Sequence, residues 1–95
     1  MELTGTIRDI YPIQTFGNNF QKREFVLVTE EQYSQTLLIE ATADRVDILD
    51  HFKPGDVVRV GINIKGREWV NPSGESKFFN SLSAWKVTHK ILSNS

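Results

Sequence analysis

A small all-β barrel of five strands, broken by one short helix between the third and fourth, is the fold class this sequence predicts. Three observations carry it. Ala43 to Phe52 is the one stretch with apolar residues at helical spacing, and Lys53-Pro54-Gly55 stops it. The residues that follow, Asp56 to Lys65, alternate with period two and are rich in β-branched side chains, the pattern of a strand with one buried face. Everything else in the 95 residues reads as strand and turn. A chain of that length holds one domain with a single modest core.

In the first strand, Leu3, Gly5 and Ile7 share one phase and Ile10 the other, which predicts a bulge or bend between them. Gln14 to Asn19 contains the turn cluster Gly17-Asn18-Asn19. Phe20 to Thr29 is the second strand. Its centre, Phe25-Val26-Leu27-Val28, is apolar on both faces, so one face meets something other than water. Glu30 to Gln32 is a hairpin turn, and Tyr33 to Thr42 the third strand, with Leu37-Leu38-Ile39 again apolar on both sides.

The helix follows, with Thr42 or Asp44 placed to cap it by accepting a backbone N–H. Val46, Ile48, Leu49 and Phe52 form its apolar stripe, which would close the open end of a barrel. Pro54 lacks an N–H and Gly55 admits positive φ, so the helix ends there. In the fourth strand Val58, Val60, Ile62 and Ile64 point one way and Arg59, Asn63 and Lys65 the other. Asn71 to Gly74 is a loop, and Phe78 to Val87 the last strand, with Leu82 and Ala84 inward. His89 to Ser95 reads as a polar, frayed tail, which sets the domain at 1–88 and the tail at 89–95. Three strands, a helix and two strands is the order of a five-stranded Greek-key OB-fold barrel. An SH3-like barrel is the competing architecture, but it usually lacks a full helix at that place.

Composition narrows the function classes. With 39% hydrophobic and 24% charged residues, the chain has the balance of a folded domain rather than a disordered one. It has no cysteine, which excludes a disulfide framework and a thiolate metal site and suits a reducing cytoplasm. No apolar run approaches the roughly 18 residues needed to span a bilayer. The opening MELTGTIRDI has neither the basic region nor the apolar core of a secretory signal. A soluble, cytoplasmic protein without a membrane partner is expected. The net charge of -1 lacks the basic excess usual in a phosphate binder, but local distribution matters more than the sum. Acids gather at Glu30, Glu31, Glu40, Asp44, Asp47 and Asp50, and bases at Lys22, Arg23, Lys65, Arg67 and Lys77. That segregation permits a basic groove, and equally a solvated surface.

An enzyme is hard to build from these residues. There is no thiol nucleophile, and His51 and His89 stand alone, without carboxylates at metal-ligand spacing. Ser73-Gly74-Glu75 has neither a phosphate-loop spacing nor that of a nucleophile elbow. Asp44 and Asp47 fit a helix N-terminus that favours negative charge. No catalytic residue, metal or cofactor is expected.

Binding is easier to build. Phe16, Phe20, Lys22 and Arg23 put rings and cations on the loop after the first strand and the start of the second. Arg67, Trp69, Lys77, Phe78 and Phe79 do the same on either side of the loop joining the last two strands. In an OB barrel those two loops flank a groove across strands two and three. Single-stranded nucleic acid needs rings on which bases stack, worth roughly 1–3 kcal/mol per base, and cations that follow the phosphates. The same residues have a plainer use: Phe20, Phe78 and Phe79 could fill barrel ends, Trp69 and Trp85 could pack or sit at an interface, and Lys22 and Arg23 could be solvated charges.

Several segments, taken in order, resemble a bacterial family of small OB-fold domains of unknown function: Glu2-Leu3-Thr4-Gly5, Lys22-Arg23-Glu24-Phe25-Val26, Pro54-Gly55-Asp56-Val57-Val58, Gly66-Arg67-Glu68-Trp69 and Ala84-Trp85-Lys86-Val87. The resemblance runs along nearly the whole chain. It implies a fold similar to bacterial single-stranded DNA-binding proteins and primosomal replication protein N, with single-stranded DNA binding an implication of fold alone. Two departures stand out. The end, His89 to Ser95, lacks the acidic tail with which those DNA-binding proteins recruit partners, and the Asn71 to Lys77 loop gives less reach around a strand than their finger loops.

The expected function is a non-enzymatic module that binds single-stranded DNA, or RNA. Phe16, Phe20, Trp69 and Phe79 would stack, while Lys22, Arg23, Arg67 and Lys77 would neutralise phosphate. The alternative is a protein-interaction module, a homodimer or higher homo-oligomer, that self-associates through strand edges or the barrel face.

Overall fold

A computed structural model of the chain describes residues 1–90. Its elements are β1 (Glu2–Ile10), β2 (Gln14–Thr15), β3 (Gln21–Thr29), β4 (Thr36–Thr42), a helix (Ala43–His51), β5 (Val57–Val70) and β6 (Ser76–His89). The strands hydrogen-bond in the order β1-β5-β6-β4-β3-β2, and β1 also pairs with β3. That second pairing closes β1, β3, β4, β6 and β5 into a five-stranded barrel. The closure between β4 and β6 is a short parallel contact, Ile39 beside Leu82 and Glu40 beside Ser83. The helix stands between the third and fourth barrel strands, so the OB-fold arrangement read from the sequence is the one observed. Closure gives the barrel strands partners on both sides, but residues 63–70 of β5 and 76–81 of β6 pair only with each other and keep free outer edges of the kind that invites pairing.

The core lies inside this ring. Ile7, Phe25, Leu27, Ile39, Val58, Val60, Ile62 and Ala84 are fully buried, and Leu49 reaches them from the helix. The predicted irregularity in β1 is a bulge: Ile7 pairs with Leu27, Asp9 with Val26, and Arg8 is passed over. The extra residue lets Ile7 and Ile10, of opposite phase, both face the core. A second bulge falls between Gly61 and Ile62, where β6 carries Trp85 as the extra residue. The Trp85 ring lies against Gly61.

The helix is a nine-residue 3-10 helix. Val46, Leu49 and Phe52 repeat every three residues, which is the turn of a 3-10 helix and sets them on one face. Val46 and Leu49 are buried and Phe52 packs on the core, so the stripe closes the barrel end as expected. The capping expectation fails. Neither Thr42 nor Asp44 caps by side chain, and the chain enters the helix through Ala43 at φ 56°.

Several boundaries also differ from expectation. β4 begins at Thr36 rather than Tyr33, because Thr29 closes a longer connection: its N–H donates to the Gln35 carbonyl and its Oγ accepts the Gln35 N–H at 2.7 Å. The polar tail does not begin at His89. His89 pairs with Val58 and stacks on Phe52, ring centroids 4.6 Å apart. Lys90 donates its N–H to Val57 and its Nζ to Glu30 at 2.8 Å. The rest of the expected tail, 91–95, lies outside the described residues. Among the described residues no helix is long and apolar enough to cross a membrane.

The largest difference is in β5 and β6. Each runs 14 residues, well past the barrel, and residues 63–80, the connecting loop included, are exposed except for half-buried Asn71. The two strands therefore project as a twisted arm of about 20 Å, at roughly 3.3 Å per residue. The radius of gyration, 15.3 Å, exceeds the roughly 12 Å of a compact domain of this length. Asn71 turns the arm by accepting the N–H groups of Ser73 and Glu75 on its Oδ1. Reach thus comes from the strands, and the short loop does not limit it.

Candidate nucleic-acid interface

The first wall of the site is the hairpin after β1. Gln14 and Thr15 pair with Lys22 and Gln21, and the turn between them uses Asn19 at φ 63°. The Phe16 N–H donates to the Phe20 carbonyl at 2.8 Å. This closure sets the two half-exposed rings side by side, centroids 6.0 Å apart. Lys22 stands over the Phe16 ring, with Nζ 5.6 Å from its centroid.

The second wall is the arm. Residues directly opposite on antiparallel strands share a face. Arg67 opposes Phe79, Trp69 opposes Lys77 and Lys65 opposes Ser81. Period two therefore gathers Lys65, Arg67, Trp69, Lys77 and Phe79 on one face, with Arg67 5.7 Å from the centre of the Phe79 ring. That face continues the outer surface of the barrel. The opposite face carries Ile64, Glu68, Val70 and Phe78 and continues the inner one, so Phe78 leaves the site.

The two walls meet over the outer face of β3 and β4. A cavity of ≈ 760 Å³ there is lined by Phe16, Phe20, Lys22, Glu40, Thr42, Lys65 and Arg67. Its neighbour of ≈ 340 Å³ is lined by Lys65, Gly66, Arg67, Phe79, Asn80 and Ser81. Five of the eight residues singled out in the sequence, Phe16, Phe20, Lys22, Arg67 and Phe79, line these cavities, and Lys77 and Trp69 extend the arm's wall outward. Lys65 was missed. Its in-phase position two residues before Arg67 was the available signal.

Arg23 is the exception. Strand alternation turns it away from Lys22, and its Nη1 donates to Asp50 at 2.7 Å while its Nε donates to the Tyr11 carbonyl at 3.0 Å. Its side chain is largely covered, so it ties the hairpin to the helix rather than facing the groove. The groove floor is mixed in charge. Glu24 opposes Glu40 across β3 and β4, and Lys22 approaches Glu40 at 3.9 Å. Four cations, Lys22, Lys65, Arg67 and Lys77, still outnumber these two carboxylates, on a chain whose net charge is -1.

The histidines are not isolated in space. His51 and His89 share a cavity of ≈ 430 Å³ with Asp50 and Asp56, although among the described residues no three His, Cys, Asp or Glu are placed to hold a metal ion.

Comparison with known proteins bears on the same architecture. Residues 2–88 match the family model described as a domain of unknown function, DUF3127. No curated protein matches the chain. Among solved structures, it is similar to the mitochondrial single-stranded DNA binding protein Rim1 from S. cerevisiae, with a TM-score of 0.71 at 14% identity, covering 94% of this chain and 91% of that one. A second form of Rim1 gives 0.67 at the same identity and coverage. The protein priB from Ralstonia solanacearum gives 0.64 at 10% identity, covering 95% of this chain and 96% of that one. At such identities the likeness speaks for the fold.

Proposed function

We propose that the chain, which belongs to the DUF3127 family, is a non-enzymatic module that binds single-stranded DNA in the groove between hairpin and arm. One observation carries the reading: the basic and aromatic face of the arm opens onto the same cavity as Phe16, Phe20 and Lys22. Phe16, Phe20, Phe79 and Trp69 offer rings for base stacking, and Lys22, Lys65, Arg67 and Lys77 follow the phosphates. The fold shared with Rim1 agrees with this use.

Titration of a labelled oligothymidine tests it. Four phosphate contacts give a log–log slope of affinity against salt of about -3, at about -0.7 per contact for a single strand. Absence of binding at low salt by folded protein rules the reading out.

A second reading, self-association, has its own observation. Ile64, Val70 and Phe78 share the other face of the arm and are 62%, 57% and 71% exposed. Apolar side chains in a row on a projecting ribbon favour burial against a second copy. Light scattering at rising concentration should then show a growing mass, and a strict monomer defeats this reading.

A further inference from the structure

We propose that the groove floor carries a guanine-selective subsite at Glu24. This rests on the reading that the groove takes single-stranded DNA, and it names a base the strand presents there. Beyond the two walls, the outer face of β3 and β4 leads to a further cavity of ≈ 460 Å³, lined by Tyr11, Pro12, Gln14, Glu24 and Leu38. The Tyr11 N–H donates to the Glu24 carbonyl at 2.9 Å, which holds the tyrosine beside it. Leu38 is diagonal to Glu24 across the strand pair and 53% exposed. The cavity is therefore an apolar ledge with an exposed ring, one amide and one carboxylate.

Glu24 differs from Glu40, the other acid on the groove floor, which has Lys22 at 3.9 Å. The carboxylate of half-buried Glu24 has no hydrogen-bond or ion-pair partner among the described residues, and it stands directly opposite Glu40. Like charges directly opposed on a sheet are destabilising, and a ligand that brings donors relieves that cost. A phosphate strand is repelled by a carboxylate, so Glu24 is compatible with the groove when a base edge, not a phosphate, reaches it.

The chemistry of the bases selects among them. An ionised carboxylate has acceptors only, and unpaired bases are read on their Watson–Crick edges. Guanine presents two adjacent donors there, N1–H and the 2-amino group. Adenine and cytosine place a ring-nitrogen acceptor beside their amino donor, and thymine flanks its single N3–H with two carbonyl oxygens. Only guanine meets both oxygens of Glu24 without a repulsive partner, while its face rests on Tyr11 and Leu38.

Anisotropy titration compares a labelled dT oligomer with the same oligomer carrying one central dG. The dG oligomer binds tighter by about tenfold or more, the discrimination of a good bidentate contact. Deoxyinosine in place of dG, which lacks the 2-amino group, falls between them. Glu24→Gln, of the same shape and checked for folding by its melting curve, loses the preference while its affinity for the dT oligomer holds or rises. Equal binding of the two oligomers by the unaltered chain, or a preference that survives Glu24→Gln, overturns the subsite and leaves strand binding intact. If neither oligomer binds at low salt, strand binding fails and the subsite fails with it.

Discussion

Arg67→Glu combined with Lys77→Glu should lower affinity for an oligothymidine at low salt by at least about a hundredfold. Two phosphate contacts disappear and two repulsions replace them, each a change on the order of 1 kcal/mol or more where charges face each other closely. The salt dependence should flatten in step, because the slope counts phosphate contacts, at about -0.7 for each on a single strand. The fold should not suffer. Both side chains sit on an exposed stretch of the arm, where substitutions usually stay within about 0.5 kcal/mol, and the loss of the Arg67–Phe79 contact adds about 0.5–1 kcal/mol. Self-association, which would use Ile64, Val70 and Phe78 on the other face, should be unchanged. The double variant therefore separates the two proposed readings in one preparation, by anisotropy for the first and light scattering for the second. Undiminished DNA affinity in the folded variant means that the arm's basic face is not the binding surface.

The elements were legible where side-chain phase leaves a mark. The bulge at Arg8 shows because Ile7 and Ile10 belong to opposite phases. The bulge opposite Gly61 was invisible from β5, since Val58, Val60 and Ile62 keep one phase. Its trace is in β6, where Ala84 and Val87 are both buried although three residues apart. Spacing placed Ile64 on the right face but could not tell its exposure. It continues the inward alternation of β5, but period two says which residues share a face and not whether anything covers that face. The arm outruns the barrel, and Ile64 is left in water.

The candidate site follows the same logic. Lys65, Arg67 and Trp69 lie two apart and so share a face, and the five-residue connection from Asn71 to Glu75 sets the register that brings Lys77 and Phe79 beside them. Lys22 and Arg23 are adjacent in sequence, and in a strand adjacency means opposite faces. One reaches the groove and the other is tied to Asp50 and Tyr11. Glu24 could not be recognised in advance, because its lack of a side-chain partner depends on Lys22 approaching Glu40 instead, which is a property of the packed barrel.

Gly5→Ala should destabilise the chain by about 3 kcal/mol, the upper end of the range for overpacking. Gly5 pairs with Thr29 on one side and Val58 on the other, so β1 turns from β3 to β5 at this residue. A Cβ there would meet the Val28 carbonyl oxygen, the Leu27 side chain and the Thr29 Cα. Two of those three are backbone atoms held by strand pairing, so the strain cannot be relieved by a rotamer change. At Gly61 the three atoms nearest an added Cβ all belong to the Trp85 ring, the closest its Cε2 at 2.6 Å. That half-exposed side chain can swing outward, so the cost there should be smaller. At Gly17 no atom lies within 4 Å, and alanine should be neutral, or slightly stabilising through the unfolded chain. The order of melting temperatures should therefore be Gly17→Ala, then Gly61→Ala, then Gly5→Ala. The last should fall by roughly 12–24 °C, at about 4–8 °C per kcal/mol for a domain of this size. Against a total stability of roughly 5–14 kcal/mol, a loss of that size leaves much of the barrel folded at room temperature. Because β1 joins the strand beneath the hairpin to the strand that becomes the arm, opening this seam separates the two walls of the groove. Oligonucleotide binding by Gly5→Ala should fall in proportion to its unfolded fraction as temperature rises. Wild-type melting in this variant means that β1 can shift without cost and that the barrel is not held shut at Gly5.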